Sequence, residues 1–140
     1  MNNKMIELPI DVETYDIDLA GHVNNVVYIR WLEMLRTKLF TKLCLFNDLI
    51  RNNFYIVIIS TNIIYKKQIK MFDRPVGWME VKDIKHGIIY LEAIIKCDNR
   101  IAAVAEQKCV VMDLGTCKKV DVKTLDKIIK LQSVNSGNNL

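Results

Sequence analysis

His22 and His86 are the only two histidines in the chain, and they lie far apart in it. With no His-x-x-x-His pair, the spacing that would seat a zinc ion or a metalloprotease centre is missing, and no metal is expected. Cysteine is sparse and scattered: Cys44, Cys97, Cys109 and Cys117 include no Cys-x-x-Cys pair. Cys44 falls on the apolar face of a helical pattern, and Cys97 and Cys109 fall in strand-like runs. All four are therefore read as buried thiols rather than bridges or ligands. The glycines, Gly21, Gly77, Gly87, Gly115 and Gly137, form no Gly-rich run, which excludes a phosphate-cradling nucleotide loop. A serine nucleophile elbow is also absent. No apolar run approaches the roughly 20 residues needed to span a bilayer. The opening Met-Asn-Asn-Lys-Met-Ile-Glu carries no signal-peptide core, so a cytoplasmic address and no membrane partner are expected. Aromatic residues make up only 8% of the chain and no dense arginine run accompanies them, which argues against nucleic acid. The net charge of +4 is compatible with a phosphorylated or acidic partner.

What the chain has is chemistry concentrated in one stretch, Tyr15–Arg36. Asp16, Asp18, His22, Asn24 and Asn25 fill a loop that runs directly into a long apolar-periodic segment, with Gly21 between them. A carboxylate and an imidazole thus lie within four residues of each other, beside backbone N–H groups that have no intrahelical partner. Such N–H groups, backed by the positive end of the helix dipole, stabilise an oxyanion or a polarised carbonyl.

The rest of the chain supplies a scaffold. A length of 140 residues with 51% hydrophobic content suits one domain with a single core. From Ile6 to Thr14, apolar Ile6, Leu8, Ile10 and Val12 alternate with polar positions and Pro9, which reads as a half-buried edge strand. From Asn25, apolar residues including Tyr28, Trp31, Leu32, Leu35 and Leu39 recur at spacings of three and four as far as Phe46. That predicts a helix of about 20 residues, capped by Asn24 or Asn25. Phe54–Tyr65, rich in β-branched and aromatic residues, reads as a central, buried strand and ends in the basic cluster Lys66, Lys67 and Lys70. Strands follow at Gly77–Lys85, Ile88–Cys97 and Ile101–Asp113, separated by turns at His86-Gly87 and Asp98-Asn99-Arg100. A short helix is expected over Val122–Leu131, followed by an expected flexible polar tail over residues 133–140. The expected fold class is α+β, an antiparallel sheet wrapped around one long helix.

The motif Asp-x-Asp-x-x-Gly-His-Val-Asn-Asn-x-x-Tyr, with Phe-Asp-Arg-Pro further on, resembles the hotdog-fold thioesterases, nearest the 4-hydroxybenzoyl-CoA thioesterase-like branch. The similarity extends from about Ile6 to Asp113, and it implies a single hotdog domain over residues 1–132. It implies that Asp18, the second Asp of the motif, is the catalytic carboxylate, and that the backbone N–H of Asn25 polarises the carbonyl. The His-Val-Asn-Asn run is also similar to plant acyl-carrier-protein thioesterases, in which the His is functional, and this points to His22. Those enzymes carry an Asn two residues after the Asp, where this chain has Ala20, so a mechanism needing that Asn does not transfer.

What the resemblance implies is hydrolysis of an acyl-CoA, or of an acyl-carrier-protein thioester, with no cofactor. It also implies a homodimer or homotetramer whose sites lie at subunit interfaces. Candidate substrate contacts are Asn24 and Tyr28, with Lys66, Lys67 and Arg74 for the phosphates of the carrier. Asp16 is expected to serve the turn rather than the chemistry. Two other readings fit the same sequence: a hydratase of acyl thioesters on this fold, and a module that binds an acyl thioester and leaves it intact.

Overall fold

A computed structural model describes residues 4–43 and 45–128. The chain runs as β1 (Met5–Pro9), a 3-10 turn (Thr14–Asp16), α1 (Asn25–Lys42) and α2 (Leu45–Arg51). Then come β2 (Phe54–Tyr65), β3 (Val76–Lys85), β4 (Ile88–Cys97) and β5 (Arg100–Asp113). A last helix, α3, covers 122–128. The five strands form one sheet in the order β1-β3-β4-β5-β2, and every neighbouring pair is antiparallel. Helix α1 lies across this sheet. Its stripe of Leu32, Leu35, Leu39 and Phe40 joins Met79, Leu91, Ala105, Cys109 and Val111 in one core cluster. Tyr28 and Trp31 join Ile95, Cys97 and Ala103 in the adjoining one.

Close approach of helix and sheet is set at Gly77. A Cβ there would come within 2.8 Å of Ile10 Cδ1 and 2.9 Å of both Leu35 methyl groups, so the absent side chain is what lets α1 settle on β3. The β3–β4 and β4–β5 turns put both of their central residues at positive φ: His86 at 54° and Gly87 at 75°, Asp98 at 54° and Asn99 at 61°. Such turns match the right-handed twist of the strands they join, and Asn and Asp tolerate the conformation best after Gly.

Several expectations need correction. The strand expected over Ile6–Thr14 ends at Pro9: Ile10 N–H still reaches Pro75 O (2.9 Å), but Pro75 has no N–H to continue the ladder. Its inward face is as expected, with Ile6 and Ile10 buried. The long helix breaks after Lys42 into α1 and α2. Continued straight at 100° per residue, it would turn Leu45 well away from the stripe that faces the sheet. Restarting the helix buries Leu45 and Leu49 instead, and Phe46 meets Phe40 edge-on at 6.1 Å.

The largest correction concerns β2, which among the described residues is an edge strand, paired with β5 alone and not central. Ile59, Ile64 and Tyr65 are exposed on it. A β-branched composition reports a pleated surface that packs well; it does not report how many neighbours the strand has. Cys97 and Cys109 are buried as expected, but Cys117 is exposed, because it lies in the turn after β5 rather than in a strand. Cys44 and residues 129–140, and so the expected tail, lie outside the described residues.

Candidate active site

The loop before α1 is a miniature hairpin. Ile17 and Val23 form an antiparallel bridge, Asp18 N–H donates to His22 O (2.9 Å), and Asn24 N–H donates to Asp16 O (2.9 Å). The tip closes where Gly21 N–H meets Asp18 O (3.0 Å), with Gly21 at φ 82°, a conformation that side-chain-bearing residues rarely adopt. On its far side the hairpin is fixed by Val23 N–H to Ile69 O (2.8 Å).

The two aspartates of the motif have different surroundings. Asp16 is buried, 4% exposed. Its Oδ2 accepts the Glu13 N–H (2.9 Å), and its Oδ1 faces Arg30 Nη2 at 3.5 Å. That carboxylate is committed to holding the turn. Asp18 is exposed, and its Oδ1 accepts Ala20 N–H (2.9 Å) and, more weakly, His22 N–H (3.4 Å). Its Oδ2 meets no donor among the described residues. The carboxylate is therefore oriented through one oxygen and leaves the other available.

Helix α1 begins at Asn25. Asn24 is its N-cap, with Oδ1 accepting Val26 N–H at 3.1 Å. The Val27 N–H reaches Asn24 O (2.9 Å), while the Asn25 N–H meets no acceptor among the described residues. An oriented carboxylate and an unsatisfied helix-start amide thus belong to one loop, locked together by the hairpin bonds. His22 is half-buried, and its imidazole makes no hydrogen bond among the described residues, so it meets the Asp18 side chain only through its own backbone N–H.

The remaining candidates divide. Tyr28 is buried beneath the loop, 5.0 Å from the rings of both Trp31 and Tyr65. Burial, and then Tyr65 and Cys97, push its phenol up to about 12. Lys67 faces Asp98 at 3.9 Å and is the least exposed of the basic cluster, whereas Lys66 and Arg74 are exposed. The cluster flanks the hairpin through Ile69, but it is not brought into contact with Asp18. Next to it, Asp73, Cys97 and Asp98 present ligand atoms within 4.8 Å of one another. Those groups have other partners: Asp73 Oδ2 accepts Lys70 N–H (2.9 Å), and burial raises the Cys97 thiol above its usual range.

The profile of the thioesterase-like superfamily matches residues 12–128. The chain belongs to that superfamily. No curated protein sequence matches it at a significant level. Among solved structures it is similar to the DHNA-CoA thioesterase of Staphylococcus aureus, at 16% identity and a TM-score of 0.79, covering 97% of this chain and 96% of that one. It is equally similar to the YbaW probable thioesterase of Escherichia coli, at 23% identity and a TM-score of 0.79, covering 91% and 95%. A thioesterase of Thermus thermophilus, complexed with coenzyme A and Zn, follows at 20% identity and a TM-score of 0.71, covering 91% and 94%. At these identities the likeness establishes the hotdog fold.

Two features of this thioesterase-like domain were not legible in the sequence. Tyr65, at the far end of β2, donates its hydroxyl to Asn25 O at 3.1 Å. Nothing in a β-branched run signals that its last residue returns to the helix start forty positions earlier. Among the described residues, Gln107 is the second buried polar residue beside Asp16, 4% exposed. It accepts Arg36 Nη1 (2.9 Å) and donates to Thr61 Oγ1 (3.1 Å). In the sequence it is one polar residue in an apolar strand. The helical stripe carried no mark that Arg36 turns inward, where burial lowers the guanidinium's pKa against the opposing influence of Cys109 and Glu33.

Proposed function

We propose that this domain is an acyl-CoA thioesterase, releasing free acid and thiol, with Asp18 as the reacting carboxylate. The observation that carries the reading is the loop itself. Asp18 is held through Oδ1 with Oδ2 open, in the same hairpin that delivers the unsatisfied Asn25 N–H at the start of α1. A thioester whose carbonyl oxygen points at Asn25 N–H gains a hydrogen bond that strengthens as that oxygen becomes an oxyanion, with the helix dipole behind it.

Two routes use this arrangement. As general base, Asp18 takes a proton from water, the hydroxide adds to the carbonyl carbon, and the C–S bond breaks. The proton then passes to the departing thiolate. As nucleophile, Asp18 Oδ2 attacks the carbonyl carbon and expels the thiolate, and water hydrolyses the resulting anhydride. His22 lies within the loop and serves as an auxiliary proton-handling or polarising group. Asn24 shapes the N-terminus that receives the thioester.

The coenzyme A portion, with its phosphates, runs over Lys66, Lys67 and Arg74. A second copy of the chain covers the open edge of β2 and makes the enzyme a homo-oligomer. Among the described residues no helix is long and apolar enough to cross a membrane. The deciding experiment is a thiol-release screen over short, long and aromatic acyl-CoAs. Turnover of at least one group supports the reading. Binding without thiol release from any of them refutes it.

A further inference from the structure

Strand register and helical period together stack the space between α1, β2, β4 and β5 in layers. Tyr65 stands opposite Ala103, Ile63 opposite Ala105 and Thr61 opposite Gln107. On the other side of β5, Ala103 faces Ile95, Ala105 faces Ala93 and Gln107 faces Leu91. Above them α1 contributes Tyr28, Leu32 and Arg36, each one turn after the last.

The first layer is aromatic, where Tyr28 meets Tyr65 edge-on at 5.0 Å beside the Asn25 carbonyl. The second is apolar and thinly filled. Leu32, Ile63, Ala93 and Ala105 line a crevice shared with Tyr28 and Ala103, too narrow for a water molecule in the empty chain. The third is polar: Arg36 donates to Gln107, and Gln107 donates to Thr61. Arg36 is half-buried and has no carboxylate within ion-pair distance among the described residues, Glu33 acting on it only from farther away, although guanidinium stays charged.

We propose that this third layer recognises the far end of the acyl group, and that the chain selects acyl thioesters whose tail ends in a carboxylate. The direction of the tail rests on the acyl-thioesterase reading, with the thioester at Asn25. From there the tail passes between Tyr28 and Tyr65, displaces Ile63 from the alanine-lined crevice and reaches Arg36. Four residues of strand separate the first layer from the third, a span of about 14 Å, which suits a medium-length chain. The anion supplies the charge Arg36 lacks, and the Gln107 amide holds the guanidinium fork in place.

The test is calorimetric binding of dodecanamide and of dodecanedioic acid monoamide, in which a neutral amide stands for the thioester and only the second has a terminal carboxylate. The wild-type chain should bind the carboxylate-ended ligand at least about tenfold tighter, the range for a charge-assisted hydrogen bond. Arg36→Met, which keeps the apolar stem, should bring the ratio to near one. Gln107→Glu, nearly the same shape, gives Arg36 an internal carboxylate. It should also abolish the preference while raising the thermal midpoint, which shows that the fold is intact. A wild-type ratio near one, or a preference that survives Gln107→Glu, overturns the proposal. Binding of these amides does not depend on turnover, so loss of the carboxylate preference is read separately from failure of thiol release.

Discussion

The hydroxyl of Tyr65 donates to the backbone carbonyl of Asn25 at 3.1 Å, tying the end of the edge strand β2 to the first residue of α1. The same ring packs edge-on against Tyr28. Through this bond the sheet edge fixes the peptide unit that follows the proposed oxyanion donor. Tyr65→Phe removes the hydrogen bond and keeps the ring. It should lower kcat several-fold with KM nearly unchanged, since one hydrogen bond is worth about 1 kcal/mol. Steady-state kinetics on a turned-over acyl-CoA measure this, and an unchanged kcat would remove Tyr65 from the account.

Strand β2, twelve residues long, has an outer edge that pairs with no strand among the described residues and carries exposed Ile59, Ile64 and Tyr65. Long edges with apolar side chains are seldom left open in water. Light scattering at micromolar concentration should give at least twice the chain mass of 16.3 kDa. A clean monomer would mean that the edge is tolerated alone.

Alkaline pH should destabilise the fold. Burial raises the Cys109 thiol from its usual 9 to about 12, and the Tyr28 phenol from 10 to about 12. Between those values the unfolded chain has released protons that the folded chain retains, so stability falls as pH rises. Each group contributes a slope of up to about 1.4 kcal/mol per pH unit once pH exceeds its unfolded pKa. Unfolding free energies from urea titrations at pH 8 and pH 10 should differ by about 1–2 kcal/mol. Cys109→Ala should remove most of the difference, and identical free energies would contradict the burial of these groups.

The basic cluster should act on binding more than on chemistry. Replacing Lys66, Lys67 and Arg74 by Gln should raise KM for an acyl-CoA and leave kcat nearly unchanged, because phosphate anchoring is uniform binding. The wild-type KM should also climb with salt. Lys67 is expected to matter least of the three, since Asp98 already faces it at 3.9 Å. Salt-insensitive kinetics with an unchanged KM in the triple variant would make the cluster a solvated surface.

Local signals in the sequence read well where the physics is local. The turns at His86-Gly87 and Asp98-Asn99 and the three strands they join stand where propensity and period placed them, and the cap is Asn24, one of the two positions expected. Asp16 also stands as expected, buried and holding the turn through Glu13 N–H, while the role of Asp18 belongs to the proposal above. Non-local choices were not legible. That β2 lies at an edge depends on which strand pairs with β5, and a composition cannot state that. Arg36, Gln107 and Thr61 meet only once α1, β5 and β2 are stacked, and 71 positions separate Arg36 from Gln107. The break at Lys42 has no Gly or Pro to announce it; it is what lets Leu45 and Leu49 be buried.

The central claim concerns Asp18, and its test is single-turnover thiol release by Asp18→Asn beside Asp16→Asn. Asparagine keeps the side-chain oxygen that accepts Ala20 N–H, so Asp18→Asn should hold the loop, fold normally and still bind acyl-CoA. Its rate should fall at least about 10²-fold, the lower end for losing an acid–base group. Asp16→Asn weakens a buried carboxylate that faces Arg30 and should lose stability more than rate, with His22→Ala between the two in rate. Near-full turnover by folded Asp18→Asn would contradict the account outright.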